Sequence, residues 1–540
     1  MARVDRRKLQ TSALLAAVLL FPILANYDAY RGYFEDDDLD TLTWARVISP
    51  VSLIRDIPSI RYPPQHIRPV SFLYYSFSAR AAGLNYPPWL FTLQIVGLVN
   101  VAQLWLLLGK LGLDEVFATA GCLFFVAGRA LFDAWWKPMF VYDVLCTMFV
   151  LASVLAYTYR RWVLSFIAFW LAARSKEIGI VVPVMLLAYE MILGERKWKR
   201  VLIFLLPAAI YGGYGVWHSR HLSADHPYRM DFEPGALWKT ASFYASKILW
   251  IPYAGFLLLV SPFLVRDRRI YFGAAILICG IAIYLVLPGR VAEVYLYLPM
   301  IGAAVMVGAL TARYPRIFAL LAIAWIPWQV YSTRQQARAT LAEDNERRAL
   351  VEALRAVPDA PAYVYTNEPP FVHSWGIEGA LRLYHRNVED VHRLFELGLP
   401  ADKQMELLSW DAGRQRFQVA EFLPSGFTRL PPAADLASWQ VPKGWEAGDA
   451  GHRVMRRAAA VDLYRPAEAK ELFWEACADQ GTELRTFVNG LELLPAFHFA
   501  AADCVAKTYP VTGGPGFFST IDFLASPPEK PVRMGSFGFR

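Results

Sequence analysis

TSALLAAVLLFPILANYDAYRGYFEDDDLD, residues 11–40, decides how this chain is read. An apolar stretch, 11–27, leads straight into the acidic run Glu35-Asp36-Asp37-Asp38, with Asp40 just beyond. Arg3, Arg6, Arg7 and Lys8 precede the apolar stretch, which reads as a retained signal-anchor rather than a cleaved signal peptide, since more apolar stretches follow. Carboxylates crowded at a bilayer surface repel one another and the anionic lipid. A bound cation, a cationic substrate or a proton-transfer task would explain them; an ordinary polar surface loop is the alternative.

Working outward, the composition supports a membrane protein. The 540 residues are 56% hydrophobic and 19% charged, with 18 Trp, 27 Tyr and 34 Phe suited to interfacial belts. Apolar runs near membrane length predict spans at 11–27, 88–108, 115–131, 138–158, 161–173, 178–193, 200–217, 243–264, 270–287, 294–310 and 316–331, about eleven in all. With the N-terminus in the cytoplasm, the turns holding Lys110, Arg160-Arg161, Arg196 to Arg200, Arg266 to Arg269 and Arg313 to Arg316 all fall on the cytoplasmic side. The net charge of +7 is therefore an orientation signal; no zinc spacing, arginine-rich helix or aromatic-basic stripe suggests nucleic acid.

The opposite side receives 28–87, 132–137, 174–177, 218–242, 288–293 and everything after 331. The organisation expected is a transmembrane domain over 1–331 whose first outward loop, 28–87, is catalytic. A small α/β domain over 332–430, a linker over 431–454 and a β-rich domain over 455–540 follow. Gln335 to Leu354 reads as a charged helix, helical periodicity returns only near 465–476, and Asn489-Gly490 reads as a hairpin turn. Cys122, Cys146 and Cys279 fall in predicted spans as packing residues. Cys477 and Cys504 could form one disulfide in an exported tail, or remain two buried thiols.

The candidate site residues lie on the outward side. An aspartate of the pair Asp36-Asp37 would act as general base on an acceptor hydroxyl or hold a divalent cation, with Asp133 a second acidic member. Arg68, Arg174, Lys176 and Arg290 would hold a phosphate leaving group. His66 could shuttle a proton, and Glu177 and Glu293 stand at the same level. Interface anchoring or surface ion pairing is the plainer reading of each. His218, His221 and His226, with Asp225, read as a polar loop because their spacing fits no standard metal signature.

Four features together resemble the GT-C superfamily of polytopic glycosyltransferases that use polyprenyl-phosphate-linked sugars, closest to the protein O-mannosyltransferase and TMTC-like group. They are Asp36-Asp37 in the first outward loop; Arg68-Pro69 before an apolar-aromatic run; Ser175-Lys176-Glu177 leading into Val182-Pro183 and Leu186-Leu187-Ala188-Tyr189-Glu190; and Arg290-Val291-Ala292-Glu293-Val294-Tyr295-Leu296-Tyr297-Leu298-Pro299. The last is similar to an "ER-YLYLP" run, with Val294 where an arginine often stands and Tyr297 as a supporting residue. The resemblance implies a polytopic α-helical GT-C fold with an exported α/β plus β-rich region. It implies transfer, with inversion, from a polyprenyl-phosphate-sugar to a hydroxyl of a protein or glycan acceptor at the outer face of a bacterial inner membrane. It leaves open whether a divalent cation, Mg or Mn, takes part. A lipid-linked glycan transporter or ligase, and a non-enzymatic assembly protein, are the competing classes. Charges concentrated at span ends favour interfacial chemistry over transport.

Overall fold

The computed structural model describes residues 2–60, 68–223, 226–385, 387–430, 444–447, 452–512 and 514–540. The chain divides into two compact units, Met1–Asn345 and Glu346–Arg540. The first is helical: α1 Ala2–Ala25, α2 Asp36–Val47, α3 Pro50–Asp56, α4 Pro69–Ala82, α5 Tyr86–Lys110, α6 Glu115–Ala127, α7 Phe132–Trp136, α8 Val141–Thr158, α9 Trp162–Ser175, α10 Val182–Ile192, α11 Leu202–Arg220, α12 Pro234–Ile248, α13 Gly255–Leu264, α14 Arg268–Leu285 and α15 Pro299–Arg313. Helix α16, Pro315–Leu354, runs through the division between the units.

This is a polytopic α-helical membrane protein, but the expectation of about eleven spans is corrected. Among the described residues, four helical segments are long and apolar enough to cross a membrane: Tyr86–Lys110, Pro138–Thr158, Trp198–Arg220 and Arg268–Leu285. Glu115–Ala127 with Arg129–Trp136 makes a fifth if that pair, bent by 59°, counts as one. An apolar run in the sequence is not one helix. At about 1.5 Å of rise per residue, a helix needs about 20 residues to span hydrocarbon, and many runs are broken. The run 243–264 is split between α12 and α13 by a turn in which Trp250 and Tyr253 have positive φ. The run 178–193 begins as a 3₁₀ turn, Glu177–Val181, and leaves only 11 residues to α10. Gln10–Ala25, Trp162–Ser175, Gly255–Leu264 and Pro299–Arg313 are shorter apolar helices.

Small residues let these helices approach closely. A Cβ on Gly302 of α15 would lie 2.4 Å from the Gly273 carbonyl oxygen of α14. Bulkier side chains there would separate the pair.

The second unit carries the β structure. A mixed sheet has the order β2-β1-β3-β4, from β1 Ala362–Thr366, β2 Asp390–Arg393, β3 Met405–Asp411 and β4 Arg416–Phe422, with β2 and β3 parallel to β1. Helix α17, Ser374–Tyr384, connects β1 to β2. Short strands β5 Arg429–Leu430, β6 Glu446–Ala447 and β7 Arg453–Met455 precede β8 Ala458–Arg465, β9 Glu471–Ala478, β10 Glu483–Val488, β11 Leu491–His498, β12 Asp503–Pro510, β13 Phe517–Ser526 and β14 Val532–Phe539. These form sheets ordered β11-β10-β13-β8 and β12-β9-β14-β7-β6, with β5 on β14, around a core that includes Leu463, Trp474, Leu484, Ile521 and Phe537.

Asn489 and Gly490, both at positive φ, make the two-residue turn that sets Val488 opposite Leu491. The helical periodicity near 465–476 does not become a helix. Leu472, Trp474, Ala476 and Ala478 are buried with a period of two, and the segment is β9. Cys477 on β9 and Cys504 on β12 face each other and are joined by a disulfide.

Candidate active site

The acidic run is the start of a helix, not a loop. Glu35 is the N-cap of α2. Its backbone N–H donates to Asp38 Oδ2 at 3.0 Å, while its own side chain accepts from the Asp38 backbone N–H. This capping box satisfies two of the backbone donors that a helix end leaves unpaired. Three acidic residues in the first turn then sit where the helix dipole favours negative charge.

Helical geometry divides those residues. Asp37, Asp40, Thr41 and Trp44, spaced i, i+3, i+4 and i+7, all line one cavity of about 810 Å³. Asp38, Leu42 and Ala45 occupy another face and are fully buried. Asp36 is also buried and does not line the cavity.

The far walls come from the rest of the first unit. Arg68 is the N-cap residue of α4 and lines the cavity. Tyr142 and Asp143 start α8, and Lys176 and Glu177 sit in the turn after α9. That turn folds back tightly on its own helix: a Cβ at Gly179 would lie 2.4 Å from the Ala172 carbonyl carbon. Tyr211, Gly212, Gly215 and His218 come from α11, Tyr284 from α14, and Arg290 and Tyr295 from the segment that follows.

The cavity cations are held differently. Arg68 Nε donates to both oxygens of Glu177, at 2.9 and 3.1 Å, with its guanidinium 4.8 Å from the centre of the Tyr142 ring. Lys176 Nζ donates to both oxygens of Asp143, at 2.6 and 2.8 Å, and faces the Tyr295 ring at 4.6 Å. Arg290 Nε donates to Tyr295 Oη at 3.1 Å, and its guanidinium lies over Tyr228. Among the described residues no carboxylate lies within ion-pair distance of Arg290. Tyr295 stacks on Tyr284 at 4.3 Å, so one aromatic pair touches both Lys176 and Arg290.

Burial would raise the Glu177 carboxyl, but the charge and hydrogen bonds of Arg68 outweigh it and hold the group at about 2. Asp38 shows the opposite balance. Burial pushes it up to about 7, against the Glu35 backbone N–H and the Tyr75 hydroxyl, which donates to Asp38 Oδ1 at 2.7 Å. A carboxyl raised on folding from its ordinary 3.8 favours the protonated native state. Its contribution is complete below about 3.8 and is lost as pH climbs through about 7. Glu177, lowered from 4.5, contributes above that value and loses its contribution as pH falls through about 2. The melting temperature is therefore expected to decline from about pH 4 to about pH 7 with a component that Asp38→Asn removes. An unchanged slope in that variant would refute the assignment.

The remaining sequence candidates are placed elsewhere. Arg174 is buried, and its Nη2 donates to the Asp56 carbonyl of α3 at 2.9 Å; it does not line the cavity. Asp133, half-buried in α7, is also outside the lining. Glu293 accepts from Arg129 at 3.1 Å and Lys247 at 2.7 Å in a separate charged cluster. Tyr297 is core: it is buried, its ring packs edge-on to Phe125, and its hydroxyl accepts from Asn100 at 3.2 Å. His66 lies outside the described residues, as does Asp225. His218 and His226, read from sequence as part of a polar loop, line the cavity.

Sequence reasoning missed Asp40, Asp143, Tyr142 and Tyr295. Asp40 was discoverable from its three-residue offset to Asp37 once the run is taken as helical. Asp143 lies inside a predicted span, where an ionisable residue marks function by default.

The chain is similar in structure to ArnT from Cupriavidus metallidurans bound to undecaprenyl phosphate, with a TM-score of 0.42 and 11% identity, over 76% of this chain and 97% of that one. It is also similar to the arabinosyltransferase EmbB from Mycobacterium smegmatis, with a TM-score of 0.29 and 11% identity, over 97% of this chain and 64% of that one. No protein-family model and no curated protein matches the chain.

Proposed function

We propose that the chain transfers a sugar from a polyprenyl-phosphate donor to a hydroxyl of a protein or glycan acceptor, at the outer face of a bacterial inner membrane. The observation that carries the reading is that a carboxylate, Asp37, and a guanidinium, Arg290, line the same cavity. One is a carboxylate at a helix start; the other is a guanidinium that, among the described residues, has no carboxylate within ion-pair distance. In the proposed step Asp37 accepts the acceptor's hydroxyl proton as the oxygen attacks the anomeric carbon. The bond from that carbon to the phosphate oxygen breaks on the opposite side, inverting the centre. The electron pair leaves with the polyprenyl phosphate, whose charge Arg290 receives. Arg68 and Lys176, neutralised by Glu177 and Asp143, shape the field around that phosphate.

Asp37 and Asp40, on one face of α2, are the carboxylates that would share a divalent cation such as Mg or Mn. Among the described residues no group of three or more His, Cys, Asp or Glu is arranged around a common metal position.

The reading is tested by product analysis in membranes holding the intact protein and a panel of polyprenyl-phosphate sugars. No product from any donor would overturn it. Arg290→Gln removes a charge-assisted contact of about 1.5–3 kcal/mol, so affinity for undecaprenyl phosphate should fall about 10- to 100-fold. Unchanged affinity would remove Arg290 from the site.

A further inference from the structure

The acidic helix is held from behind by an ion pair that never reaches the cavity. Lys137 follows α7, and Asp344 belongs to α16; their side chains are 1% and 0% exposed. They pair directly with each other. Lys137 Nζ also donates to the Tyr33 carbonyl at 3.1 Å, and Asp344 Oδ2 accepts from the Tyr33 backbone N–H at 2.9 Å. The pair thus satisfies both backbone polar groups of Tyr33, two residues before the α2 N-cap. Lys137 lies 3.4 Å from the carboxylate of that N-cap residue, Glu35. Phe34, between them, is fully buried edge-on against Tyr86 and Trp89. Space at the joint is limited as well, since a Cβ on Gly32 would come within 3.1 Å of Asp344 Oδ2.

Two charges taken this far out of water are poor contributors to stability, and apolar residues of similar volume usually serve as well or better. What this pair supplies is a fixed position for the backbone segment that leads into α2. We propose that Lys137 and Asp344 are positioning residues that set the start of α2, and through it the direction in which Asp37 enters the cavity. Their importance for turnover rests on the sugar-transfer reading; their effect on α2 does not. A displacement of about 1 Å at a reacting group can cost about 10²-fold in rate.

The test uses the full-length protein in lipid nanodiscs, with Lys137→Met, Asp344→Leu and the double variant. Each single variant strands one buried charge and should lower the melting temperature. The double variant should recover it. Hydrogen exchange over residues 33–45 should nevertheless stay raised in the double variant relative to the rest of the first unit. Transfer from the active donor should fall about 10²-fold, with the donor KM moving less than about 3-fold. A double variant with wild-type melting temperature, exchange and turnover would overturn the proposal. If the double variant does not accumulate, the isosteric Asp344→Asn decides: raised exchange at 33–45 supports the clamp and unchanged exchange refutes it. Exchange is read without any sugar donor. A wild-type protein that transfers nothing therefore removes the proposed function and leaves the clamp to stand or fall on exchange alone.

Discussion

Asp37→Asn is expected to lower sugar transfer by about 10²–10⁴-fold, the range typical for losing a positioned general base, while the protein still inserts, folds and binds undecaprenyl phosphate. The amide keeps the size and most of the hydrogen bonding of the carboxylate but cannot take a proton. The loss should appear in kcat, with donor KM little changed, because the base acts on the acceptor rather than on the lipid phosphate. Asp36→Asn is the matched control. Asp36 is one residue away and buried outside the cavity lining, so its variant should stay within about 10-fold of wild type. Turnover assays on both, beside equilibrium binding of undecaprenyl phosphate, check the pair. Full activity in Asp37→Asn would sink the mechanism; equal losses at Asp36 and Asp37 would show that helix stability, not base chemistry, is being measured.

Lys176→Met should be the most destabilising single change at the site. Lys176 and Asp143 are 10% and 7% exposed, and the lysine occupies both oxygens of the carboxylate. Removing it leaves the Asp143 carboxylate without its cation, and breaking a buried pair from one side costs about 3–5 kcal/mol. Replacing both, as Lys176→Met with Asp143→Leu, should restore most of that stability, because the cost comes from the stranded charge. Transfer should remain low in the double variant, since the field around the phosphate is gone. Thermal unfolding in a fixed detergent measures the first effect and turnover the second. A single variant as stable as wild type would mean that the pair is solvated and its burial unimportant.

The sequence was most legible where one local rule dominated. Asn489-Gly490 makes its hairpin in a β-rich C-terminal region, and apolar composition marks a membrane protein. Spans were over-counted because hydropathy does not see a broken axis: Trp250 and Tyr253 turn the chain inside an apolar run, and Gly179 folds a 3₁₀ turn against α9. At the site, Asp37, Arg68, Lys176 and Arg290 were visible as charges on one side of the membrane. Which carboxylate each cation meets is not visible there. Glu177 sits 109 positions from Arg68 and Asp143 sits 33 from Lys176, so only the packing of α4, α8 and the turn after α9 pairs them. Asp36 and Asp37 are neighbours in sequence, but successive residues on a helix point about 100° apart, so of the two only Asp37 lines the cavity.

The placement of four carboxylates on α2 also sets what kind of genetic change this region can absorb. Each added or deleted residue turns everything after it by about 100° around the helix axis. Substitutions at Asp36, Asp38 or Asp40 would change charges one at a time. A single-residue insertion or deletion between Glu35 and Asp37 would swing Asp37, Asp40, Thr41 and Trp44 off the cavity together and bring the buried face round to it. The length of the run should therefore be held more strictly than the identity of Asp36 within it.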